Sequence, residues 1–357
     1  MRVALSILVL LLGNAGCSSQ SDPAASGGAP SSGGASGSGG AAGAAGGAGA
    51  AVGGFAGLNF DCGSAPPTPD DRPLPKDITD AAPSVALRAT SKRLEVWTPD
   101  DSTLSDPEVL ALGASACSAL LFDLETFAVP ETAPELAKRV RAVVVDTSTF
   151  GTATGAPGAY GVAFAQSKSA SDAIILPDNA FSNVVELDDT LAHELSHVVG
   201  GRSAPYDAWI PWWLIEGTAV MNGSYFGKKL HDQPTSFVQA WLDTADGSDA
   251  TLTFDRYGLE DKTQNLSEVG HDQALSGFFV EFLRVKAPRP GGGSGYSDAQ
   301  PRLLQLMRRV SDGEGFDATF ASELGGLTLP KAQADYVQFL DDTVGDLATR
   351  YSGTAFE

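Results

Sequence analysis

The chain has 357 residues, 41 of them glycine, and a formal net charge of −21. So acidic a chain argues against nucleic acid as a partner, because a phosphate-binding face needs clustered Lys and Arg. The glycines crowd before residue 60, which leaves roughly 290 residues to fold, long enough to bury a substantial core without staples.

Met1-Arg2 forms a minimal basic start, and Val3 to Leu12 is an apolar run too short to span a bilayer as a permanent helix. The run ends in "GNAGC", with Ala15-Gly16 directly before Cys17. This resembles a bacterial lipobox, although Asn14 stands where that motif usually has Leu or another aliphatic residue. The resemblance implies an export signal over residues 1–17 and a lipid on Cys17 as the sole membrane attachment. The protein is then an outer-membrane or cell-surface lipoprotein; plain secretion is the alternative. Cys62 and Cys117 remain as an even pair, either a disulfide or two free thiols. Residues 18–77 read as a tether. Its Gly/Ala/Ser stretch buries too little apolar surface to offset the entropy of ordering, and "DCGSAPPTPDDRPLPKD" is Pro-rich and extended.

From residue 78 to about 350 the pattern is that of one folded domain. "SVALRAT" and "RLEVWT" are strand-like. Asp106 to Phe127 has helical periodicity, with Leu110, Ala114, Cys117, Leu121 and Leu124 on one stripe. "RAVVVDT", "GAYGVAFAQ" and "DAIILPD" are further strands, and helices dominate after them. No membrane span is expected beyond the leader. The fold class is therefore α+β, with a mixed β/α lobe first and a helical lobe last.

Between the two lobes lies "LAHELSHVVG", with His193, Glu194 and His197 in the pattern H-E-x-x-H. Asp188-Asp189-Thr190 offers N-cap chemistry for its helix. Residues four apart lie about 40° apart around a helix, so the two imidazoles project from one face, a turn apart. They can ligate one ion, with Glu194 placed to take a proton from water. A third ligand is needed. Gly200 and Ser203 fall where metzincins carry Gly and a final His, and Ser is a poor zinc ligand. Asp207 and Glu216 are the other candidates. Glu216, in "PWWLIEGTAVMNG", follows His197 by 19 residues, room for a loop and the start of a second helix.

H-E-x-x-H followed by "PWWLIEGTA" resembles the gluzincin metallopeptidases, in particular the bacterial peptidase MA-like group, whose second motif is W-x-x-E-G-x-A. The resemblance implies a zincin-like, thermolysin-like fold and one Zn2+ per chain. It implies His193, His197 and Glu216 as ligands, and Glu194 as general base. Gly217 and Ala219 become the small residues where the second helix packs against the first. Val220 stands where the thermolysin type has an Asp, so that outer carboxylate is missing or comes from elsewhere. "GHDQALSGFFVEFLRVK" and the segment from Glu314 to Leu340 are similar to the group's closing helices.

The function expected is hydrolysis of peptide bonds in a peptide or protein substrate outside the cytoplasm. The alternatives are a silent zincin-fold binding module and a hydrolase of non-peptide amides such as cell-wall material. His271, Tyr257 and Tyr225 are candidates to stabilise the oxyanion opposite the metal, with His271 favoured because it heads a helix. His231 reads as a loop residue, and Trp209, Trp212 and Trp213 as packing. "DAIILPD" is either an edge strand that pairs with substrate or an ordinary buried strand.

Overall fold

The computed structural model describes residues 58–63, 68–157, 159–164, 172–182, 184–205, 210–231, 269–287, 296–336, 338 and 339; the side chains of 182, 184, 185, 228, 269–275, 285 and 296–298 are excluded. The expected leader with Cys17, the Gly/Ala/Ser stretch, Asp207, Trp209 and Tyr257 lie outside the described residues.

The fold is mixed α/β. In chain order it runs β1 (Leu58–Asn59), α1 (Lys76–Ala81), β2 (Val85–Thr90), β3 (Leu94–Pro99), α2 (Asp106–Thr126), β4 (Val140–Val145), α3 (Thr147–Thr154), β5 (Val162–Phe164) and β6 (Ala173–Pro177). Helices follow: α4 (Val184–Ser203), α5 (Trp212–His231), α6 (Val269–Lys286), α7 (Tyr296–Ser311) and α8 (Phe316–Glu323). The six strands form one sheet in the order β1-β2-β3-β4-β6-β5. β3, β4 and β6 run parallel, while β5 lies antiparallel to β6 on the outside.

Both central strands are buried on two faces, which is why they read as unbroken apolar runs. Val140, Ala142 and Val144 of β4, with Ile174 and Leu176 of β6, enter the core shared with α2, α4 and α5. Val143, Val145 and Ile175 point the other way, into a smaller core with Ile78 of α1 and Phe150 of α3. Each such side chain contributes about 1.5–3 kcal/mol by leaving water.

α2 begins at a capping box: the backbone N–H of Ser105 donates to Glu108 Oε2 at 2.7 Å. By length and composition α2 would pass for a membrane span, but it buries Val109, Leu112, Ala116, Leu120 and Leu124 against the sheet and α4. The buried stripe is displaced from the expected one. Cys117 and Leu124 are on it, whereas Leu110, Ala114 and Leu121 are not. Cys117 is bonded to Cys62 in a disulfide, so the free-thiol alternative does not hold.

The packed region also begins before residue 78. β1 pairs with β2, and Cys62 and Leu74 are buried, so the Pro-rich connector is partly built into the fold. At the far end of α4, Arg202 donates to both oxygens of Asp172 at 2.8 and 2.7 Å and to the carbonyls of Lys138 and Arg139. This bidentate pair fastens the last turn of α4 to the entrances of β4 and β6.

Candidate metal centre

α4 starts at Val184, so Asp188 and Asp189 lie inside it and do not cap it, contrary to the sequence expectation. The helix gained an earlier turn because Val184, Glu186 and Leu187 continue its pattern. His193, Glu194 and His197 sit near its middle, 2, 0 and 1 % exposed. α5 packs along α4 and brings Glu216, wholly buried, to the same point.

The two imidazole Nε2 atoms are 3.2 Å apart. Glu216 Oε2 is 3.5 Å from His193 Nε2, and Glu216 Oε1 is 3.5 Å from His197 Nε2. The three ligand atoms lie within 4.8 Å of one another, and this His193–His197–Glu216 group can hold a metal ion. The spacing fits one. Bonds of about 2.0–2.1 Å in a tetrahedron put neighbouring ligand atoms about 3.3–3.4 Å apart.

Electrostatics support the same arrangement. Burial holds His193 below the ordinary histidine range, the neutral form that ligates. Burial pushes the Glu216 carboxyl up, but the facing His197 and His193 rings outweigh it and bring it down to about 2. Two imidazole nitrogens and a carboxylate, all buried, are a donor set that a cation completes. Ser203 is the last residue of α4, about 9 Å of helix rise beyond His197, and is out of reach of the same ion.

Glu194 lies beside the ligands. Burial, then the charge of Glu216, raises its carboxyl well above the usual range. Neither oxygen has a hydrogen bond of normal geometry, although the backbone N–H of Ala163 on β5 is close enough to pull its titration down somewhat. Gly161 is the tightest point of that contact. A Cβ there would lie 2.6 Å from Thr190 Cγ2 and 3.1 Å from Glu194 Cγ. The outer strand beside the site is therefore β5, whereas "DAIILPD" is β6, paired on both sides and unable to accept a substrate strand. The two strands are both short and apolar, and only the pairing order separates them.

Of the two small residues expected at the close helix crossing, Gly217 is turned elsewhere. Gly217 faces α6, where a Cβ would strike the carbonyl of Ser276 at 2.4 Å. Gly223 is the glycine that admits α4, with Asp189 Oδ1 at 2.2 Å and His193 Cβ at 3.3 Å from its would-be Cβ. Val220 packs against Gly277 of α6, so no carboxylate stands at that position. Asp189, one turn before His193, is the nearby acidic side chain that sequence reading took for a cap.

Tyr225 is no oxyanion donor to this centre. Its hydroxyl donates to Glu281 Oε2 on α6 at 2.6 Å, and it lies nine residues, a half-turn in phase, from Glu216. His231 is the last residue of α5 rather than a loop residue, and its Nε2 is 2.7 Å from Asp188 Oδ2. Trp213 packs edge-on against Phe279, Phe316 and Phe320, as expected of a core residue. His271 falls in the first turn of α6; its side chain is outside the described residues.

Compared with known proteins, the chain matches no family model and no curated protein.

Proposed function

We propose that the protein is a zinc-dependent metallopeptidase of the gluzincin type, with a zincin-like fold, exported and anchored by a lipid on Cys17. The observation that carries this reading is the meeting of His193, His197 and Glu216 from two helices, with the Glu194 carboxyl beside them. A set of two imidazoles and one carboxylate, with a general-base carboxylate adjacent, suits hydrolysis by zinc. The fold supports the assignment through the H-E-x-x-H helix against a mixed sheet and the antiparallel outer strand β5 next to Glu194.

His193, His197 and Glu216 would hold the ion. Zinc, when bound there, supplies a Lewis acid that polarises a carbonyl and acidifies water. Glu194 takes the proton of the attacking water and delivers it to the departing amine. Burial strengthens Glu194 as the base that takes the proton from water. β5 offers a backbone edge along which an extended peptide can align by strand addition, with its scissile bond at the level of Ala163 and Glu194. Among the described residues β5 pairs only with β6.

The test is digestion of a peptide library, read by mass spectrometry, with and without a chelator, on protein of measured zinc content. About one zinc per chain and chelator-sensitive cleavage are expected. Protein purified gently without zinc would remove the site assignment, and zinc-loaded protein that cleaves no peptide would remove the peptidase reading.

A further inference from the structure

Behind the metal ligands lies a polar cluster that the chemistry above does not use. Asp123 of α2, Asn222 of α5, Gln300 of α7 and Ser196 of α4 are at most 2 % exposed. Ser196 stands between Glu194 and His197 in sequence, and Asn222 follows Glu216 by six residues on α5. Asn222 Nδ2 donates to Asp123 Oδ1 and to Ser196 Oγ, each at 3.0 Å. Gln300 Nε2 donates to Asn222 Oδ1 at 3.0 Å. One amide thus joins four helices at the crossing that brings the ligands together.

Two acceptors in this cluster take no hydrogen bond: Asp123 Oδ2 and Gln300 Oε1. Both belong to residues bonded to the same Asn222 amide, one at its nitrogen and one at its oxygen. As an anion, Asp123 would be a fully buried charge held by a single neutral donor, an arrangement that costs several kcal/mol. No cation among the described residues pairs with it. The charged groups of the surrounding helices are engaged elsewhere. Those of α4 and α5 nearest in sequence, His193, Glu194, His197 and Glu216, converge on the metal centre. Arg302 and Arg308 of α7 bond to the carbonyl of Glu323 and to Glu135. A proton on Asp123 Oδ2 turns one of the two orphaned acceptors into a donor, and Gln300 Oε1 is the acceptor that lacks one. A single proton then satisfies both atoms.

We propose that Asp123 is a neutral carboxylic acid whose hydroxyl donates to Gln300 Oε1, closing a ring of side chains that positions α4 and α5 for metal binding. Asp123 is a positioning residue here. It touches neither metal nor substrate, and acts through Asn222 and Ser196. Burial favours the neutral form independently of this geometry. The positioning half rests on the metal-centre reading; the protonation half does not.

The experiment is infrared difference spectroscopy of the full chain against Asp123→Asn at neutral pH, joined to zinc titrations of Asp123→Asn and Asp123→Ala. The carbonyl band of a protonated carboxylic acid, above the amide I region, is expected in the wild type and lost in Asp123→Asn. In Gln300→Leu the same band moves to higher frequency, because the acid has lost its acceptor. Asp123→Asn keeps a donor and an acceptor in place and is expected to bind zinc within about threefold of the wild type, whereas Asp123→Ala loses about 10–100-fold, as outer-shell changes do. No band, a band indifferent to Gln300→Leu, or equal zinc affinity in Asp123→Ala and the wild type would each overturn the proposal. Should Asp123→Ala not fold, a zinc loss in Asp123→Asn as large as 10–100-fold would overturn the positioning half. A wild type that shows the band but binds no zinc would overturn the metal reading and leave the neutral acid standing.

Discussion

Glu216 is a buried carboxylate facing two imidazoles, and that juxtaposition gives it a measurable role. Glu216→Ala is expected to weaken zinc binding by more than the ~10–100-fold typical of an outer-shell change, while Asp207→Ala leaves it unchanged; competition with a chromophoric chelator reads both. The meeting of Glu216 with the two histidines was legible, because its motif resembled a known one; Asp207 lies outside the described residues. Asp123 was also legible in part. It is the one acid on the buried stripe of an apolar helix, four and seven residues after Ala119 and Ala116. Its partners were not, since Asn222 and Gln300 are 99 and 78 residues away from their bonding mates in sequence. Asp123 also carries a pH prediction. Its pKa in the folded state is raised by burial. The stability it contributes is therefore full below its unfolded value, about 3.9, and is lost as pH rises toward the folded one. Denaturation midpoints of the wild type relative to Asp123→Asn should fall across that window, by about 1.4 kcal/mol per pH unit while the acid is ionised only in the unfolded chain. A flat difference from pH 5 to 8 would show that Asp123 is ionised in the native state.

At the scale of elements, the site exists because two helices approach closely enough for ligands on both to meet. Gly223 sets that distance. Gly223→Ala pushes a methyl into Asp189 backbone and side chain, and is expected to cost about 1–3 kcal/mol and to lower zinc affinity with it. Gly315→Ala, where nothing lies within 4 Å of the new methyl, is the matched control and should leave zinc binding unchanged. Thermal melts and zinc titration of both variants check this. The strands β4 and β6 could be read from their apolar runs, α2 from its periodicity, and α5 from the motif around Glu216. What could not be read was adjacency. Which short strand is outermost depends on pairing between distant segments, so the sequence left β6 as either an edge or a buried strand, and the pairing makes it the buried one. The start of α4 was misplaced because acidic residues suit a helix's first turn as well as its cap. The close-packing role passed from Gly217 to Gly223 because both glycines lie on α5 but face different neighbours.

For the whole molecule, the disulfide ties the segment after β1 to the central helix α2 and closes a loop of 55 residues. Loop-closure entropy values such a cross-link at about 4 kcal/mol. Reduction, or the double change Cys62→Ser and Cys117→Ser, should lower the unfolding free energy by about that amount without removing zinc, since neither cysteine belongs to the ligand group. Urea denaturation with and without reductant measures it, and an unchanged midpoint would mean that the bond adds nothing. The sequence left Cys62 and Cys117 as an even pair, bonded or free; the 5.5 Å Cα separation that makes the bond feasible is a property of the fold alone. The α/β layout was visible in part: β2 to β6, α2 and the later helices were read, whereas the short β1, α1 and α3 were not.

The central claim is that Glu194 works as a base on substrate held at a zinc centre made by His193, His197 and Glu216. Peptide hydrolysis by the wild type and by Glu194→Gln, compared at equal, measured zinc content, tests it most directly. The account predicts about one zinc per chain in both proteins and a loss of roughly 10²–10⁴-fold in rate for the variant. Hydrolysis at the wild-type rate by zinc-loaded Glu194→Gln would contradict it.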